Sequence, residues 1–160
     1  MKTLSTLGPL LLLIFACRLC NMTGGQNLDP YKGSVKDLLP KEASVGLIKF
    51  KLSTSQTTEF EGATDAVKAS YTMQAGTISV PVELTVANFP SSRDAAAAVE
   101  AFANKHNFSL ESKTKGGTNV GQRLTFGDGK TIMWSNGSLQ CLARSDFPKT
   151  TSNLEEALPF

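Results

Sequence analysis

The chain has 160 residues, of which 41% are hydrophobic and 19% charged, as expected for one compact domain with a short extension and not for a disordered chain. Sixteen Lys and Arg against fourteen Asp and Glu give a net charge of +2, too small to predict binding to nucleic acid. One His and three widely spaced Cys leave little material for a metal centre, and no cofactor-binding motif occurs.

Residues 1–16 have the pattern of an export signal. Lys2 supplies the positive start, residues 10–15 form an apolar core, and Ala16 is a small residue at a cleavage position. A membrane-spanning helix needs about 20 apolar residues. The apolar core is shorter, so we expect a signal peptide that is removed.

The sequence Ile14-Phe15-Ala16-Cys17 resembles the lipobox of bacterial lipoproteins: an aliphatic residue, a variable one, a small one and then cysteine. The resemblance implies cleavage before Cys17, a lipid on its sulfur, and a domain anchored at the cell envelope that faces the periplasm or the exterior. Phe15 departs from the family pattern, in which a small residue is usual. The alternative is an ordinary secretory signal that is cut after residues 23–25 and releases a soluble secreted protein.

Residues 17–36 are polar and lack hydrophobic periodicity, so we predict lipid attachment followed by a flexible tether. The alternative is that Tyr31 and Val35 dock on the domain. A single domain is predicted over residues 37–160.

Alternating apolar residues predict strands at about 45–52 and 77–88. A polar loop is predicted at 53–58, directly after the first of these strands. Residues 66–73 fit both a strand and a helix. We favour the strand because residues 74–76 then close a hairpin onto 77–88. Pro81 cannot donate a ladder hydrogen bond, so that second strand is predicted to be an edge strand or to carry a bulge.

A helix is predicted over residues 91–105, with Ser91 or Ser92 as its N-cap and Asp94 in its first turn. Four strands follow, and a short helix beginning at Thr151 or Ser152 ends the chain. Asn136-Gly137 predicts a type I′ hairpin turn. That turn places an apolar set on the core face of its strands: Ile132, Trp134, Leu139, Cys141 and Ala143.

These elements predict an α+β domain with a mostly antiparallel sheet of about six to seven strands and helices on one face. The layout resembles uncharacterised exported bacterial α+β proteins in three segments: Leu38-Leu39-Pro40, residues 82–102, and Trp134 to Gly137. That resemblance implies no activity and no site residues.

Two functional classes follow. The first is a non-catalytic, envelope-anchored module that binds an envelope protein or a small ligand, and the second is a small exported hydrolase or a thiol enzyme centred on Cys141. Cys141 is expected in the core, and His106 at a helix end. The basic stretch 105–130 is expected to be solvated, with an anion- or lipid-headgroup-facing patch as the alternative. The candidate ligand or partner surface consists of five residues: Lys113, Lys115, Arg123, Trp134 and Asn136.

Overall fold

The computed structural model describes residues 30–115 and 117–160. The strands in this part are β1 (Glu42–Val45), β2 (Ile48–Thr57), β3 (Asp65–Ala75), β4 (Ile78–Asn88), β5 (Glu111–Lys115), β6 (Thr118–Phe126), β7 (Thr131–Asn136) and β8 (Leu139–Arg144). The helices are α1 (Val35–Leu38), α2 (Ser92–His106) and α3 (Thr150–Ala157). The predicted signal peptide, Cys17 and residues 17–29 of the predicted tether lie outside the described residues.

All eight strands form one antiparallel sheet in the order β1-β2-β3-β4-β8-β7-β6-β5. Strand β4 pairs with β3 over its whole length, but with β8 only from Glu83 to Asn88. Because a strand rises about 3.4 Å per residue, the β3–β4 hairpin projects roughly 17 Å beyond the last pair with β8. This end of the sheet is therefore stepped.

The sheet is strongly curled around α3. Eight strands at about 4.8 Å spacing would separate the two edge strands of a flat sheet by roughly 34 Å. Helix α3 is only about 12 Å long, yet it contacts edge strand β1, and its Glu155 bonds to Lys113 on edge strand β5. Both edges must therefore turn toward the same helix.

The concave face of the curled sheet holds the main hydrophobic core. Helix α1 buries Val35 there, and α3 buries Leu154. Full burial of one such side chain stabilises the fold by about 1.5–3 kcal/mol. The largest fully buried side chains that the sheet contributes to this core are Phe50, Tyr71, Leu84, Ile132, Trp134 and Leu139.

Helix α2 covers the opposite, convex face, so the expectation of helices on one face is wrong. Val99 and Ala103 of α2 pack with Leu124 and Met133, which alternate with the core residues along β6 and β7. Ala95 packs against a smaller alanine-rich cluster on β3 and β4. The small side chains of α2 let the helix lie close to the sheet.

The antiparallel sheet, the main helix and the short C-terminal helix are confirmed, but there are eight strands and not six to seven. The additional strand is β1, which pairs only with β2 and has no fully buried residue. The polar loop predicted at 53–58 is wrong, because β2 continues to Thr57 after a bulge at Ser53. Its polar residues there are mostly exposed, so they weaken the alternation without ending the strand.

Residues 66–73 form part of β3, which confirms the strand interpretation. Strand β4 is central and not an edge strand, although it contains Pro81. The carbonyl of Pro81 accepts a hydrogen bond from Ser145 Oγ, beyond the last residue of β8. The N–H and C=O of a residue in an antiparallel strand point toward the same neighbouring strand. At Pro81 that side lies beyond the end of β8, so no backbone N–H is needed there for strand pairing.

The β7–β8 turn differs from the predicted type I′ turn by two residues of register. Asn136 pairs with Leu139, so Gly137 and Ser138 form the loop, and Gly137 has φ of +56°. A glycine with positive φ at the first loop position is typical of type II′ turns. A shift of two preserves side-chain parity, so the predicted core face is confirmed.

The folded part of the chain begins before residue 37. Val35 is fully buried, and its backbone N–H donates to Asp65 Oδ2 at 2.8 Å. Tyr31 and Val35 therefore pack on the domain, as the docking alternative requires, and Val35 supplies part of the core.

Candidate functional site

Four of the five candidate surface residues come together on the concave side of β5, β6 and β7. The Lys113 ammonium lies over the Trp134 ring, 5.1 Å from its centroid. Arg123 is paired with Trp134 in the β6–β7 ladder, and Lys115 lies two residues from Lys113 on β5. Asn136 lies two residues beyond Trp134, at the end of β7, and is buried. It is therefore not part of this group.

A carboxylate from the C-terminal helix organises these basic groups. Glu155 of α3 accepts from Lys113 Nζ and, through both oxygens, from Arg123 Nε at 2.9 and 3.2 Å. Arg123 Nη1 also pairs with Glu111 at 3.0 Å. We call Glu111, Lys113, Arg123 and Glu155 the Glu155 cluster. The role of Glu155 could not be predicted from the sequence, since nothing local shows that α3 returns to β5.

The Glu155 cluster fastens α3 to the edge of the sheet. The side chains of Lys113 and Glu155 are each only 9% exposed, which is rare for charged residues unless they are paired. Lys115 Nζ donates to the carbonyl of Leu158 at 2.7 Å, which ties the end of α3 to the same strand. Burial, followed by the nearby Lys113 charge, lowers the pKa of Lys115. The expectation that Lys113 is solvated is therefore wrong.

A cavity of about 360 Å³ opens beside this cluster. Its cations already bond to Glu155 and Glu111, so neither Lys113 nor Arg123 offers an unpaired charge to an anionic ligand. The arrangement stabilises the position of α3 and is not a preformed anion site. The cavity is lined by Ser112, Lys113, Thr114, Arg123, Ser152, Glu155 and Glu156.

Cys141 and His106 lie on opposite faces of the sheet. Cys141 is a free thiol, is fully buried in the concave core, and burial raises its pKa. His106 ends α2 on the convex side, where its ring lies 4.6 Å from Phe102 and stacks on Phe108 at 5.8 Å. A thiol nucleophile needs a base within hydrogen-bond reach, and His106 is not placed to serve as that base.

A ring of hydrogen bonds fixes the point where the chain enters the domain. Tyr31 N–H donates to Ser138 Oγ at 2.8 Å, and Asn88 Nδ2 donates to the Tyr31 carbonyl at 2.8 Å. Ser138 Oγ also donates to Asn88 Oδ1 at 2.7 Å. Because the ring engages the backbone of Tyr31, it holds this part of the chain beside Asn88 and the β7–β8 turn. We call this the entry clamp.

Within residues 30–115 and 117–160, no helix is long and apolar enough to span a membrane. The same part of the chain has no group of three or more His, Cys, Asp or Glu placed to hold a metal ion. No protein-family model, curated protein or solved structure matches the chain.

Proposed function

We propose that the protein is an exported lipoprotein, anchored through Cys17, whose domain is a non-catalytic binding module of the cell envelope. The observation that carries the proposal is the order of features at the start of the chain: a charged residue, a short apolar core, and Ala16 directly before Cys17. A stable membrane attachment takes more than one acyl chain, and a lipoprotein cysteine carries that number.

The position of the entry clamp supports this arrangement. Twelve residues lie between Cys17 and Pro30, where the described chain begins, and thirteen residue-to-residue steps span at most about 45 Å, so the domain lies within that distance of the lipid. The clamp holds Tyr31 beside Asn88 and the β7–β8 turn. The tether is therefore joined to the domain at this end of the sheet.

The binding role is favoured over thiol chemistry by the surroundings of Cys141. A reactive cysteine is partly exposed and has a lowered pKa, whereas Cys141 is fully buried with a raised pKa. Cys141, on which the thiol-enzyme alternative depends, is thus a residue of the hydrophobic core.

Mass spectrometry of the mature N-terminus tests the anchor. We expect the chain to begin at Cys17 and to carry the mass of a diacylglycerol with its acyl chains. The Cys17→Ser chain should stay uncleaved or be released, whereas Cys20→Ser should be processed normally. Recovery of a wild-type chain that begins near Gln26 would contradict the proposal and favour a soluble secreted protein.

Thiol labelling of the folded domain tests the non-catalytic role in a Cys17→Ser, Cys20→Ser chain. We expect Cys141 to react only as fast as the domain unfolds. Rapid labelling under native conditions would favour the thiol enzyme.

A further inference from the structure

The edge of the sheet beside β1 is open along the second half of β2. Strand β1 pairs only with the first four residues of β2, and the Leu52 N–H donates to the Lys41 carbonyl at 2.8 Å. Strand β2 then continues through residues 53–57 and stays paired with β3 on its inner side. No strand of the described ranges, 30–115 and 117–160, lies on the outer side of this segment. We call residues 53–57 the open edge.

The backbone of the open edge directs unpaired polar groups away from the sheet. The Thr58 N–H donates to the Ala66 carbonyl at 3.0 Å, so Thr58 points toward β3. Successive residues of a strand point to alternate sides, and Ser55 and Thr57 therefore direct their N–H and C=O groups outward. In the part of the chain that the structure describes, none of these four groups has a hydrogen-bond partner. The open edge thus offers two donors and two acceptors on a segment roughly 17 Å long.

The open edge lacks the residues that usually keep a strand edge from pairing. Proteins protect such edges with charged side chains or with proline. Strand β1 carries the exposed Glu42, β5 carries the exposed Glu111, and the part of β4 beyond the end of β8 contains Pro81. Residues 53–57 have the sequence Ser-Thr-Ser-Gln-Thr, and the bulge at Ser53 leaves the rest of the segment regular. The open edge is therefore available to a further strand.

We propose that two copies of the chain pair through their open edges, antiparallel to each other, about a twofold axis at Gln56. Ser55 of each copy then exchanges both backbone hydrogen bonds with Thr57 of the other copy. This register uses all four outward groups of each copy and only the regular part of the strand. Because the same segment serves on both sides, the pairing closes at a dimer and does not continue into a fibre.

The charges that flank the open edge favour a second copy in this orientation. Lys41 and Lys51 lie at its beginning, and Glu59 and Glu61 follow its end. All four are exposed, and none is in an ion pair with another described residue. Antiparallel pairing brings the basic end of each copy to the acidic end of the other, whereas parallel pairing would bring like charges together.

The residue at the axis is also suited to meeting its own copy. The backbone groups of Gln56 point toward β3, so the two Gln56 residues would face each other in a non-hydrogen-bonded pair, in which side chains lie close together. An uncharged amide both donates and accepts. Each Gln56 side chain can therefore bond to the other.

Disulfide cross-linking tests the pairing in full-length chains that carry Cys17→Ser and Cys20→Ser. Residues that face each other in a non-hydrogen-bonded pair have Cα atoms about 4.5 Å apart, which a disulfide can bridge. We therefore expect Gln56→Cys to form a covalent dimer under mild oxidation. The matched control is Gln74→Cys, at an exposed glutamine of β3 away from the open edge. It should cross-link about tenfold more slowly, because its thiols meet only by collision. Equal rates would overturn the proposal.

Sedimentation of the same chain without the added cysteine gives an independent measurement. We expect its average mass to rise from one chain toward two as the concentration increases. Gln56→Lys places like charges opposite each other at the axis and should raise the concentration needed for dimers about tenfold. Gln74→Lys should leave that concentration unchanged.

Two outcomes would overturn the proposal. The first is a chain that stays monomeric at every concentration, as it would if residues 17–29 covered the open edge. The second is a Gln56→Cys chain that cross-links only to a different protein, which would assign the open edge to a heterologous strand. The inference is independent of the proposed anchor, because both measurements use chains that lack Cys17.

Discussion

The helices on the two faces of the sheet form for different reasons. Helix α2 has 15 residues, an N-cap at Ser91 that accepts from Asp94 N–H, and a C-cap at Asn107 with positive φ. Helix α3 has eight residues, no side-chain cap, and begins after Lys149 in a left-handed conformation. An isolated helix that short is unstable in water. Helix α2 therefore carries its own start and stop signals, whereas α3 depends on the sheet that wraps around it.

Removing the indole ring of Trp134, beneath α3, should have the largest effect on stability. Trp134→Ala should lower the free energy of unfolding by about 4 kcal/mol, because it leaves a large cavity in the concave core. Met133→Ala, one residue away on the α2 face, should cost about 2 kcal/mol. Chemical denaturation measures both. Equal losses would show that the two faces contribute alike.

Breaking the Glu155 cluster should have the second-largest effect on stability. Glu155→Gln leaves Lys113 buried without its anionic partner and should cost about 3 kcal/mol. Glu156→Gln alters the exposed neighbour on the same helix and should stay within about 0.5 kcal/mol of wild type. Urea unfolding of the two variants gives the comparison. A neutral Glu155→Gln would mean that apolar packing alone holds α3.

The packing of α1 on the same concave face gives a smaller effect. Val35→Ala should cost about 2 kcal/mol, because it removes two buried methyl groups and leaves a void. Lys36→Ala, on the exposed side of α1, serves as the control for helix propensity. Thermal unfolding of both variants checks the result, and an unaffected Val35→Ala would place the start of the folded domain after this helix.

The N-cap of α2 should give the smallest loss. Ser91→Ala removes the acceptor of the Asp94 N–H and should cost about 1 kcal/mol. Ser109→Ala, an exposed serine outside the helices, should be neutral in the same denaturation assay. A loss for Ser91→Ala as large as that for Glu155→Gln would contradict the difference between the two helices.

The parts of the fold that local signals specify could be predicted from the sequence. Ser91 and Asp94 placed the start of α2 within one residue, and alternation along 66–73 favoured β3 over a helix. The core face of β7 and β8 was correct even though the turn was displaced, because a shift of two residues keeps every side chain on its face.

Long-range contacts account for what the sequence could not show. Strand β1 forms because β2 offers it an edge, and its own four residues alternate only between exposed and half-buried positions, a pattern too short to predict a strand. Lys113 and Arg123 looked like solvated charges because their partner Glu155 is more than 30 residues away in the chain.

The position of α3 also bears on self-association. Unpaired edge strands invite pairing with other chains, and proteins cover such edges to avoid aggregation. Helix α3 packs on β1, and its Glu155 is bonded to the Lys113 side chain of β5, so one eight-residue element links the two edge strands of the sheet. Detaching α3 would release both edge strands from this link. A chain that loses this helix should therefore associate edge to edge before the rest of the sheet unfolds.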